Sequence, residues 1–596
     1  MHRRLKRAVT TAALRPGRAL RDALAAGYGK TDLLADLQAG AIVGIVALPL
    51  SMALAIASGV APQHGLQTAI VAGFVAALLG GSRVQVTGPT AAFVVILAPI
   101  AATHGVGGLL VATLLAGLIL VAMGTARLGR FIEFVPYPVT AGFTAGIAVV
   151  IGTLQVKDFL GLDVARMPEH YLDRIALLVR SLPTAHRGDL LAGIATLTIL
   201  LAWPKVTRRL PAPLLALTVV TAACWAAGAL VPGFEVATIA RRFPAAAAGL
   251  ADGIPRLPPI ASWPWSHPGA DGLPFHLTWE VIRTLAGPAF AIAMLGAIES
   301  LLSATVADGM TGDKHDSDAE LVGQGLANIV APFFGGIAAT GAIARTATNV
   351  RFGARSPLAA AFHAAFILAA VLLLAPALGH LPMAALAALL LVVAWNMGEF
   401  RHVAHVLRVA PRGDVLVLLT CFALTVLFDM VVAVSVGVVL AAFLFMERMA
   451  DSARAGLLTE EHPEFLQGLP RNLVVYEVAG PLFFGAAQKA MSTLRTLRKN
   501  VKVVVIDLRA VPVIDATGLV NLESAIRRLH EAGIFVVLGG LNRQPHAVLL
   551  DAGWHEEPGR LALVDSFAAA VETGRRRLFE LEPQAPGAPV QPAPSI

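Results

Sequence analysis

Long apolar runs, separated by short polar or Pro/Gly-rich breaks, dominate the chain up to about residue 447. The stretches 37–82, 84–126 and 357–398 contain no Asp, Glu, Lys or Arg. A membrane-spanning helix needs about 20 apolar residues, so each of these stretches has room for two. The pattern predicts about fourteen spans, near 37–58, 66–82, 89–101, 107–127, 131–155, 188–204, 212–231, 280–307, 320–337, 342–354, 359–378, 381–396, 413–428 and 430–447.

The pattern changes after Phe445, where charged residues become frequent. Strand-like runs (NLVVYEVAG, VKVVVIDLR, IFVVLGG) alternate with amphipathic helical stretches such as AAQKAMSTLRTLRK and LVNLESAIRRLHEAG. This βαβ rhythm predicts an α/β domain. The predicted organisation is an amphipathic cytoplasmic segment 1–30, a transmembrane domain 31–450, a linker 451–470, the α/β domain 471–576 and a disordered Pro/Ala-rich tail 577–596.

Composition excludes several classes of protein. Hydrophobic residues make up 56% of the chain, charged residues only 14%, and the mean hydropathy is +0.72. A soluble domain carries about 25% charged residues, so a soluble enzyme and a disordered scaffold are excluded. The two cysteines, Cys224 and Cys421, both lie in apolar runs, where small core residues are expected rather than redox or metal chemistry. The sequence predicts a polytopic membrane protein.

The net charge of +7 is better explained by basic cytoplasmic loops than by nucleic-acid binding. The basic N-terminal segment lacks the apolar core of a signal peptide, and we expect it to lie inside the cell on anionic lipid. An even number of spans then places both termini in the cytoplasm, with the protein in a bacterial inner membrane. The short basic loops agree with this orientation, since they fall inside at Arg127 and Arg130, at 205–209, at Arg351 and Arg355, and at 401–412.

A weak internal repeat links the two halves of the membrane region. Gly80-Gly81 precede the segment VTGPTA (86–91), and Gly335-Gly336 precede ATGAIA (339–344). The two copies are separated by seven predicted spans, and an odd number of spans inverts the second copy in the membrane. Short Gly/Pro-interrupted segments at matching positions of two inverted halves indicate the midplane binding site of a transporter.

These two segments have the chemistry of an anion site. A helix that begins within the membrane exposes unpaired backbone N–H groups and the positive end of its dipole. Gly88 and Pro89 suit such a helix start, and hydroxyls of Thr87, Thr90 and Thr346 could add donors. Arg345 supplies positive charge near the second helix start. The alternative is that these small residues only pack helices closely.

Glu299 is the other unusual residue, because no charged residue lies within eight positions on either side. An intramembrane carboxylate is costly and is a functional candidate by default. Burial favours the protonated form of a carboxylate, so Glu299 could carry a proton. It could instead pair with Arg345, hold Na⁺, or donate as a protonated structural group to a backbone carbonyl. No group of residues has metal-ligand spacing, and no nucleophile–base set or phosphate-binding loop favours an enzyme or requires a cofactor.

Three stretches of the membrane region carry a family resemblance: DLQAGAIVGIVALPLSMALA (36–55), GGSRVQVTGPTAAFVV (80–95) and ELVGQGLANIVAPFFGGIAATGAIARTATNVRFGARSPL (320–358). They resemble the SulP anion transporters, the bacterial relatives of solute-carrier family 26. The C-terminal domain resembles the STAS domain of that family, with VVVIDLRAVPVIDATGL (503–519) at its signature loop. The resemblance covers almost the whole chain.

The resemblance implies a seven-plus-seven inverted repeat in which a core domain moves against a gate domain in an elevator-like cycle. It places the substrate between the starts of spans three and ten and next to span one, with Glu299 linked to proton coupling. It also implies a homodimer, and a STAS domain that could bind a nucleotide, bind a cytoplasmic protein partner or stabilise the dimer. The implied substrate-binding residues are Leu50, Ser51, Thr87, Gly88, Pro89, Thr90, Ala91, Ala92, Phe93, Ala342, Ile343, Ala344, Arg345 and Thr346.

Two departures from the family pattern shape the prediction. Many sulfate-type members read Pro-Gln-x-Met-Ala-Tyr on span one, whereas this chain has PLSMAL at 49–54. Together with IESLLSATVADGMTGDKH (298–315) and LVVAWNMGEF (391–400), the less polar motif resembles the bacterial branch that transports four-carbon dicarboxylates such as succinate, fumarate and aspartate. In the STAS loop, Ala516 replaces the phosphorylatable Ser that follows the Asp in related proteins, which argues against phosphorylation there although Thr517 remains.

The predicted function is therefore proton-coupled import of a dicarboxylate across the lipid bilayer. The alternatives are transport of sulfate, bicarbonate or chloride with H⁺ or Na⁺, and a channel-like or regulatory membrane protein in which the STAS domain recruits a partner. A channel and a coupled transporter differ in whether substrate accumulates against its gradient.

Overall fold

The structure is a computed structural model that describes residues 16–132, 135–164, 167–168, 170–207, 210–244, 253–428, 430–452, 454–457, 469–470, 472–483, 487–488, 490–491 and 500–582. The chain divides into two compact units, Met1–Val438 and Val439–Ile596. The division lies within the helix Met430–Ser452 rather than at residue 450, where the sequence predicted it. The first unit is helical, and the second contains a five-stranded sheet.

Sixteen helices and two short strands are described up to residue 452. The helices are α1 (Arg18–Ala25), α2 (Lys30–Ala57), α3 (Pro62–Leu79), α4 (Val94–Thr125), α5 (Tyr137–Leu160), α6 (Tyr171–Ser181), α7 (Arg187–Val206), α8 (Ala212–Leu230), α9 (Trp279–Thr311), α10 (Ser317–Val330), α11 (Ile343–Arg351), α12 (Leu358–Gly379), α13 (Met383–Gly398), α14 (Phe400–Val409), α15 (Arg412–Leu427) and α16 (Met430–Ser452). The strands are β1 (Thr87–Gly88) and β2 (Thr340–Gly341). Shorter helical turns lie at Ala91–Phe93, Gly129–Ile132, Leu182–Thr184, Ile239–Arg242, Pro264–Ser266 and Ala331–Phe334.

Each predicted span corresponds to a described helix once α4 is divided at Gly105. Gly105 has φ 67° and ψ −168°, so the chain breaks there and the helix consists of two parts. The left-handed φ is one that glycine adopts without strain. Within the part of the chain that the structure describes, nine helical stretches are long and apolar enough to cross a membrane. The prediction of a polytopic helical membrane protein is confirmed.

The membrane helices pack in two groups. One group contains α2, α3, α4, α9, α10, α11 and α12, which pack on one another around the two short strands. The other contains α5, α7, α8, α13 and α15, in which α5 packs on α13 and α15, and α7 packs on α8 and α13. Each group draws helices from both halves of the chain, as a seven-plus-seven repeat with a core and a gate requires. We call them the core group and the gate group.

Helix α1 lies within the predicted N-terminal segment and packs on α3. Ala19 and Ala23 are buried, and the backbone N–H of Gly17 donates to the carbonyl of Leu79 at 2.8 Å. Arg18 forms an ion pair of 2.8 Å with Asp316. Part of this segment therefore lies against the protein, whereas residues 1–15 of the predicted lipid-bound segment fall outside the described residues.

The second unit contains strands β3 (Arg454–Leu457), β4 (Leu473–Ala479), β5 (Val503–Ala510), β6 (Phe535–Gly539) and β7 (Leu561–Val564), and helices α17 (Ala516–Glu531), α18 (Arg543–Asp551) and α19 (Phe567–Leu581). The strands lie in the order β3-β4-β5-β6-β7, with β3 antiparallel and the others parallel. Alternate residues of β5 pack into two apolar layers, with Val503 and Val505 on the α19 side and Val504 and Ile506 on the other. This confirms the predicted α/β domain.

Two elements of this unit extend past the predicted boundaries. Strand β3 pairs with β4, so 454–457 belong to the sheet rather than to a linker that extends to residue 470. Helix α19 continues to Leu581, past residue 577 where the predicted tail begins, because Phe567, Val571 and Leu578 bury one face against the sheet. The predicted helical stretch AAQKAMSTLRTLRK lies largely outside the described residues.

Candidate functional site

Strands β1 and β2 meet inside the core group, although 253 residues separate Gly88 from Gly341 in the sequence. They are antiparallel, with Thr87 opposite Gly341 and Gly88 opposite Thr340. The backbone N–H of Ala342 extends the pairing by donating to the carbonyl of Val86 at 2.9 Å. Because the strands are antiparallel, the chain leaves the pair in opposite directions, and the two matching segments of the repeat lie side by side.

A helix begins directly after each strand. Thr90 precedes a 3₁₀ turn, Ala91–Phe93, that continues into α4, and Ala342 precedes α11. Neither start has a side-chain cap hydrogen bond. The first N–H groups of a helix have no partner inside the helix, and the helix dipole adds positive potential there. The strand pair therefore brings two helix N-terminal ends together, which is the arrangement that the repeat predicted.

The surface of this region is limited to a few residues. Thr90 and Glu299 are partly buried, whereas Ile343 and Ala344 at the start of α11 are exposed. Ile343 is 43% exposed, an unusual value for isoleucine at the centre of a helical core group. The accessible part of the site thus lies where the two helices begin, beside the carboxyl group of Glu299.

The two intramembrane charged residues, Arg345 and Glu299, form hydrogen bonds with adjacent residues of the segment after β1. Arg345 is 3% exposed and donates through Nη2 to the carbonyl of Pro89. The hydroxyl of Thr90 donates to Oε2 of Glu299 at 3.0 Å. Between these two described side chains there is no ion pair, so the Glu299–Arg345 salt bridge considered as an alternative is not formed. Instead, each charge contacts its own residue of the Pro89–Thr90 pair.

The guanidinium of Arg345 is only partly satisfied. Its Nε and Nη1 atoms are buried and have no hydrogen-bond partner among the described residues. A Cβ atom on Gly88 would overlap Nη1, so the guanidinium lies directly against the backbone of β1. Arg345 thus carries unused N–H donors at the junction of the two helix starts.

The other two predicted hydroxyl donors are engaged in the scaffold. Thr87 is buried and accepts a hydrogen bond from Nε2 of Gln324 at 2.6 Å. Thr346 is also buried, and its Oγ1 accepts from the backbone N–H of Val86 and from Ser303, both at 3.1 Å. Of the three predicted threonines, only Thr90 reaches the accessible part of the site.

The remaining predicted residues surround the strand pair. Ala91, Ala92 and Phe93 are buried in the turn that begins the first helix, and the Phe93 ring lies against Gly296 of α9. Ser51 on α2 is fully buried, and its hydroxyl has no partner among the described residues. Leu50 is half-buried.

Sequence reasoning missed the polar residues that hold these elements in place. Glu320, Gln324 and Asn328 lie on one face of α10, and Ser300 on α9 accepts from the backbone N–H of Gly341 at 3.1 Å. A signal was present in the sequence, because polar residues spaced by four in ELVGQGLAN lie on one face of a helix.

A cavity of about 250 Å³ lies away from this site. The start of α3, the loop 254–267 and the segment 334–335 line it, with Gln67 and His267 among its polar groups. None of the residues predicted to bind substrate lines this cavity.

The signature loop of the second unit is a helix cap. Asp515 accepts a hydrogen bond from the backbone N–H of Gly518 at 2.7 Å and so begins α17. Ala516 and Thr517 are exposed. Gln544 bonds both the N–H and the carbonyl of Ile514 at 2.9 Å, which holds the loop in place.

The helical membrane fold and the match to a family of sulfate permeases define a membrane protein that transports anions. The chain belongs to the sulfate permease family, which matches residues 33–421, and residues 465–570 match the STAS domain. The SulP and solute-carrier 26 resemblance is thereby confirmed.

Two relatives align along most of the chain. YvdB of Bacillus subtilis, a presumed sulfate transporter, is 40% identical over 540 residues, which are 90% of this chain and 97% of that protein. The bicarbonate transporter BicA of Picosynechococcus is 28% identical over 517 residues, covering 83% of this chain and 86% of that protein.

Solved structures share the fold. The transmembrane domain of a cyanobacterial BicA is 26% identical with a TM-score of 0.57, and the match covers 70% of this chain and 98% of that one. The murine anion transporter Slc26a9 gives a TM-score of 0.78 over 93% of each chain at 17% identity, which shows a common fold.

The assignment to a dicarboxylate branch is not supported. The relatives that align along most of the chain are named for sulfate and bicarbonate, and none of those considered above is named for a dicarboxylate. The prediction relied on the apolar motif of span one together with the stretches 298–315 and 391–400. In the structure, however, polar side chains from α9, α10 and α11 also surround the strand pair.

Proposed function

We propose that this protein is a secondary transporter of a small inorganic oxyanion, with sulfate as the first candidate substrate. The observation that carries the proposal is the junction of two helix N-terminal ends with Arg345, whose buried Nε and Nη1 have no partner among the described residues. Backbone N–H groups and a guanidinium are the donors that bind tetrahedral and planar oxyanions. The 40% identity to YvdB, a presumed sulfate transporter, favours sulfate.

Bicarbonate is the second candidate. The relatives named as bicarbonate transporters are 28% identical to this chain, and the solved BicA transmembrane domain shares its fold. The same donors would bind either anion, because both present several oxygen acceptors of similar spacing. The two anions differ in charge, since sulfate carries two negative charges and bicarbonate one. Selectivity between them would therefore depend on this difference.

The half-buried Leu50 does not argue against a small anion. A site built from backbone N–H groups of two helices needs no polar side chain from span one. The accessible residues Thr90, Ile343 and Ala344 lie at the helix starts, so the donors are already present there. Leu50 would line one side of the site and limit its size.

Glu299 is the proposed coupling residue. It is partly buried and receives one described hydrogen bond, from Thr90 at 3.0 Å. A partly buried carboxylate that has one donor and forms no ion pair among the described residues is poorly stabilised in its charged form. We therefore propose that Glu299 binds a proton when the anion enters and releases it with the anion, with Na⁺ as the alternative coupling ion.

The proposed cycle uses the two helix groups. Glu299 is protonated from outside, the anion binds across the starts of α4 and α11, and the core group shifts against the gate group to release both inside. We further propose a homodimer in a bacterial inner membrane with both termini in the cytoplasm. The role of the STAS domain, whether in dimer contacts or in binding a cytoplasmic partner or nucleotide, is a separate proposal.

Uptake into proteoliposomes tests the proposal. Radiolabelled sulfate, bicarbonate and succinate are supplied at two pH values, with and without Na⁺, and with an inward proton gradient. We expect sulfate to accumulate above its equilibrium level when the proton gradient is present. Succinate uptake without sulfate or bicarbonate uptake would contradict the assignment to inorganic oxyanions, and flux without accumulation would indicate a channel.

The variant Glu299→Gln tests the coupling role. We expect it either to transport without dependence on the proton gradient or to lose transport. The matched control is Glu523→Gln, which removes an exposed carboxylate from α17 of the second unit. Full activity of Glu299→Gln with unchanged pH dependence would exclude proton coupling through this residue.

A further inference from the structure

Three polar residues form a line along α10. Glu320, Gln324 and Asn328 are spaced by four residues, so they lie on one face of the helix, one turn apart. Each is at most 2% exposed, although the helix lies in an apolar core group. Polar groups in such surroundings are costly unless they are hydrogen-bonded. We call the three residues the α10 ladder.

Glu320 receives four hydrogen bonds from the segment before β1 and from its own helix. Oε2 accepts from the backbone N–H groups of Gly81 at 2.8 Å and Ser82 at 3.0 Å. Oε1 accepts from the side-chain amides of Gln85 and Gln324, both at 2.9 Å. All four bonds fall on the segment that leads into the first helix start or on the next residue of the ladder.

The other two residues bind the strands themselves. Gln324 donates to the hydroxyl of Thr87 in β1 at 2.6 Å. The side-chain amide of Asn328 donates to the carbonyl of Ala339, the residue before β2, and accepts from the backbone N–H of Ala339, both at 2.8 Å. One helix face therefore holds both broken segments, which come from opposite halves of the repeat.

Glu320 and Glu299 differ in their surroundings. Glu320 accepts four N–H groups, donates to none and is buried, whereas Glu299 accepts one hydroxyl and is partly accessible. Four donors satisfy a carboxylate without a cation. Glu320 is thus suited to hold a backbone in place, and it lacks the exposure that a proton carrier needs.

We propose that Glu320 is a positioning residue for the anion site: through the α10 ladder it fixes the segment 81–87, and with it the first helix start, relative to β2 and α11. The role depends on hydrogen bonds rather than on negative charge. The inference rests on the proposed transport function, since the segment it positions is the first half of the proposed anion site. It predicts that substrate affinity, and not proton coupling, depends on Glu320.

The local hydrogen bonds allow the charge to be separated from the contacts. Oε1 of Gln85 and Oε1 of Gln324 are both buried and have no partner among the described residues. In Glu320→Gln, the carbonyl oxygen of the new amide can still accept the hydrogen bonds from the backbone N–H groups of Gly81 and Ser82. The new NH₂ can then donate to Oε1 of Gln85 and of Gln324 once those amides rotate. After this rotation the Thr87 hydroxyl donates to Oε1 of Gln324, in place of the bond that it now accepts from Nε2. Glu320→Ala removes all four bonds.

The experiment compares Glu320→Gln, Glu320→Ala and the control Glu523→Gln in the full-length protein. Sulfate uptake gives KM, maximal rate and pH profile. We expect Glu320→Ala to raise KM by about 10- to 100-fold, the range for losing hydrogen bonds to a charged group. Glu320→Gln should stay within about threefold of wild type, because its contacts are restored. Neither variant should alter the pH profile.

Hydrogen exchange gives a readout that does not need transport. Peptides covering 80–93 should exchange faster in Glu320→Ala than in wild type, and at the wild-type rate in Glu320→Gln. Peptides from β5 serve as the internal control. Unchanged exchange of 80–93 in Glu320→Ala would overturn the positioning role. Equal KM defects in the Gln and Ala variants, or an altered pH profile, would show that the charge itself is required.

The two proposals fail separately. If wild-type protein moves neither sulfate nor bicarbonate, the transport assignment fails while the exchange comparison still tests the ladder. If Glu320→Ala is too unstable to purify, the Gln variant decides, because a positioning role requires near-normal KM and exchange in that variant.

Discussion

The two halves of the proposed anion site share a backbone plan and differ in charge. In both, a strand of two residues is followed by a helix start without a side-chain cap, and the equivalent glycines Gly88 and Gly341 lie in the paired strands. The second half carries Arg345 in the first turn of α11. At the position that corresponds to Arg345, the first half has the uncharged Ala92.

This difference shows what the inverted repeat supplies and what it does not. The repeat supplies two helix ends and their N–H groups. The first half then obtains its charged contacts from elsewhere, because Arg345 of the second half reaches the carbonyl of Pro89 and Glu299 of α9 accepts from Thr90. The proposed anion site is therefore symmetric in its backbone, whereas its two charged side chains, Arg345 and Glu299, have no symmetric counterparts in the other half of the repeat.

The strongest test of the asymmetry removes Arg345. We expect Arg345→Gln to raise the KM for sulfate by about 100-fold, since a buried guanidinium and its donors are lost next to the proposed anion. The matched control is Arg351→Gln at the other end of α11, where the side chain is exposed. Sulfate uptake by the two variants gives the comparison. Equal effects would mean that general positive charge on α11, rather than Arg345 at the helix start, determines affinity.

A smaller effect is expected from a methyl group on each paired glycine. A Cβ on Gly88 would overlap Nη1 of Arg345, whereas a Cβ on Gly341 would overlap the neutral amide of Gln85. Overpacking costs about 1–3 kcal/mol in either place. Gly88→Ala should therefore raise the KM for sulfate about tenfold by displacing the guanidinium.

Gly341→Ala should mainly lower the thermal stability of the purified protein. The clash there falls on the Gln85 side chain, which is a member of the α10 ladder contacts and not a charge at the site. KM and the melting temperature are measured for both variants. Larger loss of affinity in Gly341→Ala than in Gly88→Ala would remove the distinction between the halves.

Much of this arrangement could be predicted from the sequence because short stretches of the chain determine it. Charge-free runs predicted the spans, and Gly80-Gly81 with Gly335-Gly336 indicated the two interrupted segments. The structure brings Gly88 and Gly341 together as the repeat predicted. The charge of Arg345 and the isolation of Glu299 were also visible, because both residues interrupt apolar sequence. Their roles in binding and coupling remain predictions.

The partners of the threonines could not be predicted in this way. Thr87 and Thr346 were expected to face the anion, yet they bind Gln324 and Val86 across 237 and 260 residues. Their roles are set by which helix packs behind the strands, and no local spacing encodes that. The α10 ladder does have a local signal, because its polar residues recur every four positions, but this spacing does not encode which segments the polar face contacts.

The smallest expected effect compares these two threonines. Thr346→Val removes the acceptor of the buried Val86 N–H group, and leaving such a group unpaired costs about 1–3 kcal/mol. Thr87→Val removes one of the two acceptors of Gln324 Nε2, which still donates to Oε1 of Glu320 at 2.9 Å. The free energy of unfolding should therefore fall by no more than about 1 kcal/mol. Valine matches the shape of threonine in both places, so packing changes little.

Unfolding of the purified variants in detergent measures this difference in free energy. Thr346→Val should cost more than Thr87→Val, because the Val86 N–H group loses the described acceptor whereas Gln324 still donates to Glu320. Equal destabilisation by the two valine variants would mean that the ladder adds no support of its own to β1. A larger loss of stability in Thr87→Val than in Thr346→Val would contradict the prediction. It would mean that the first half depends more strongly on its threonine.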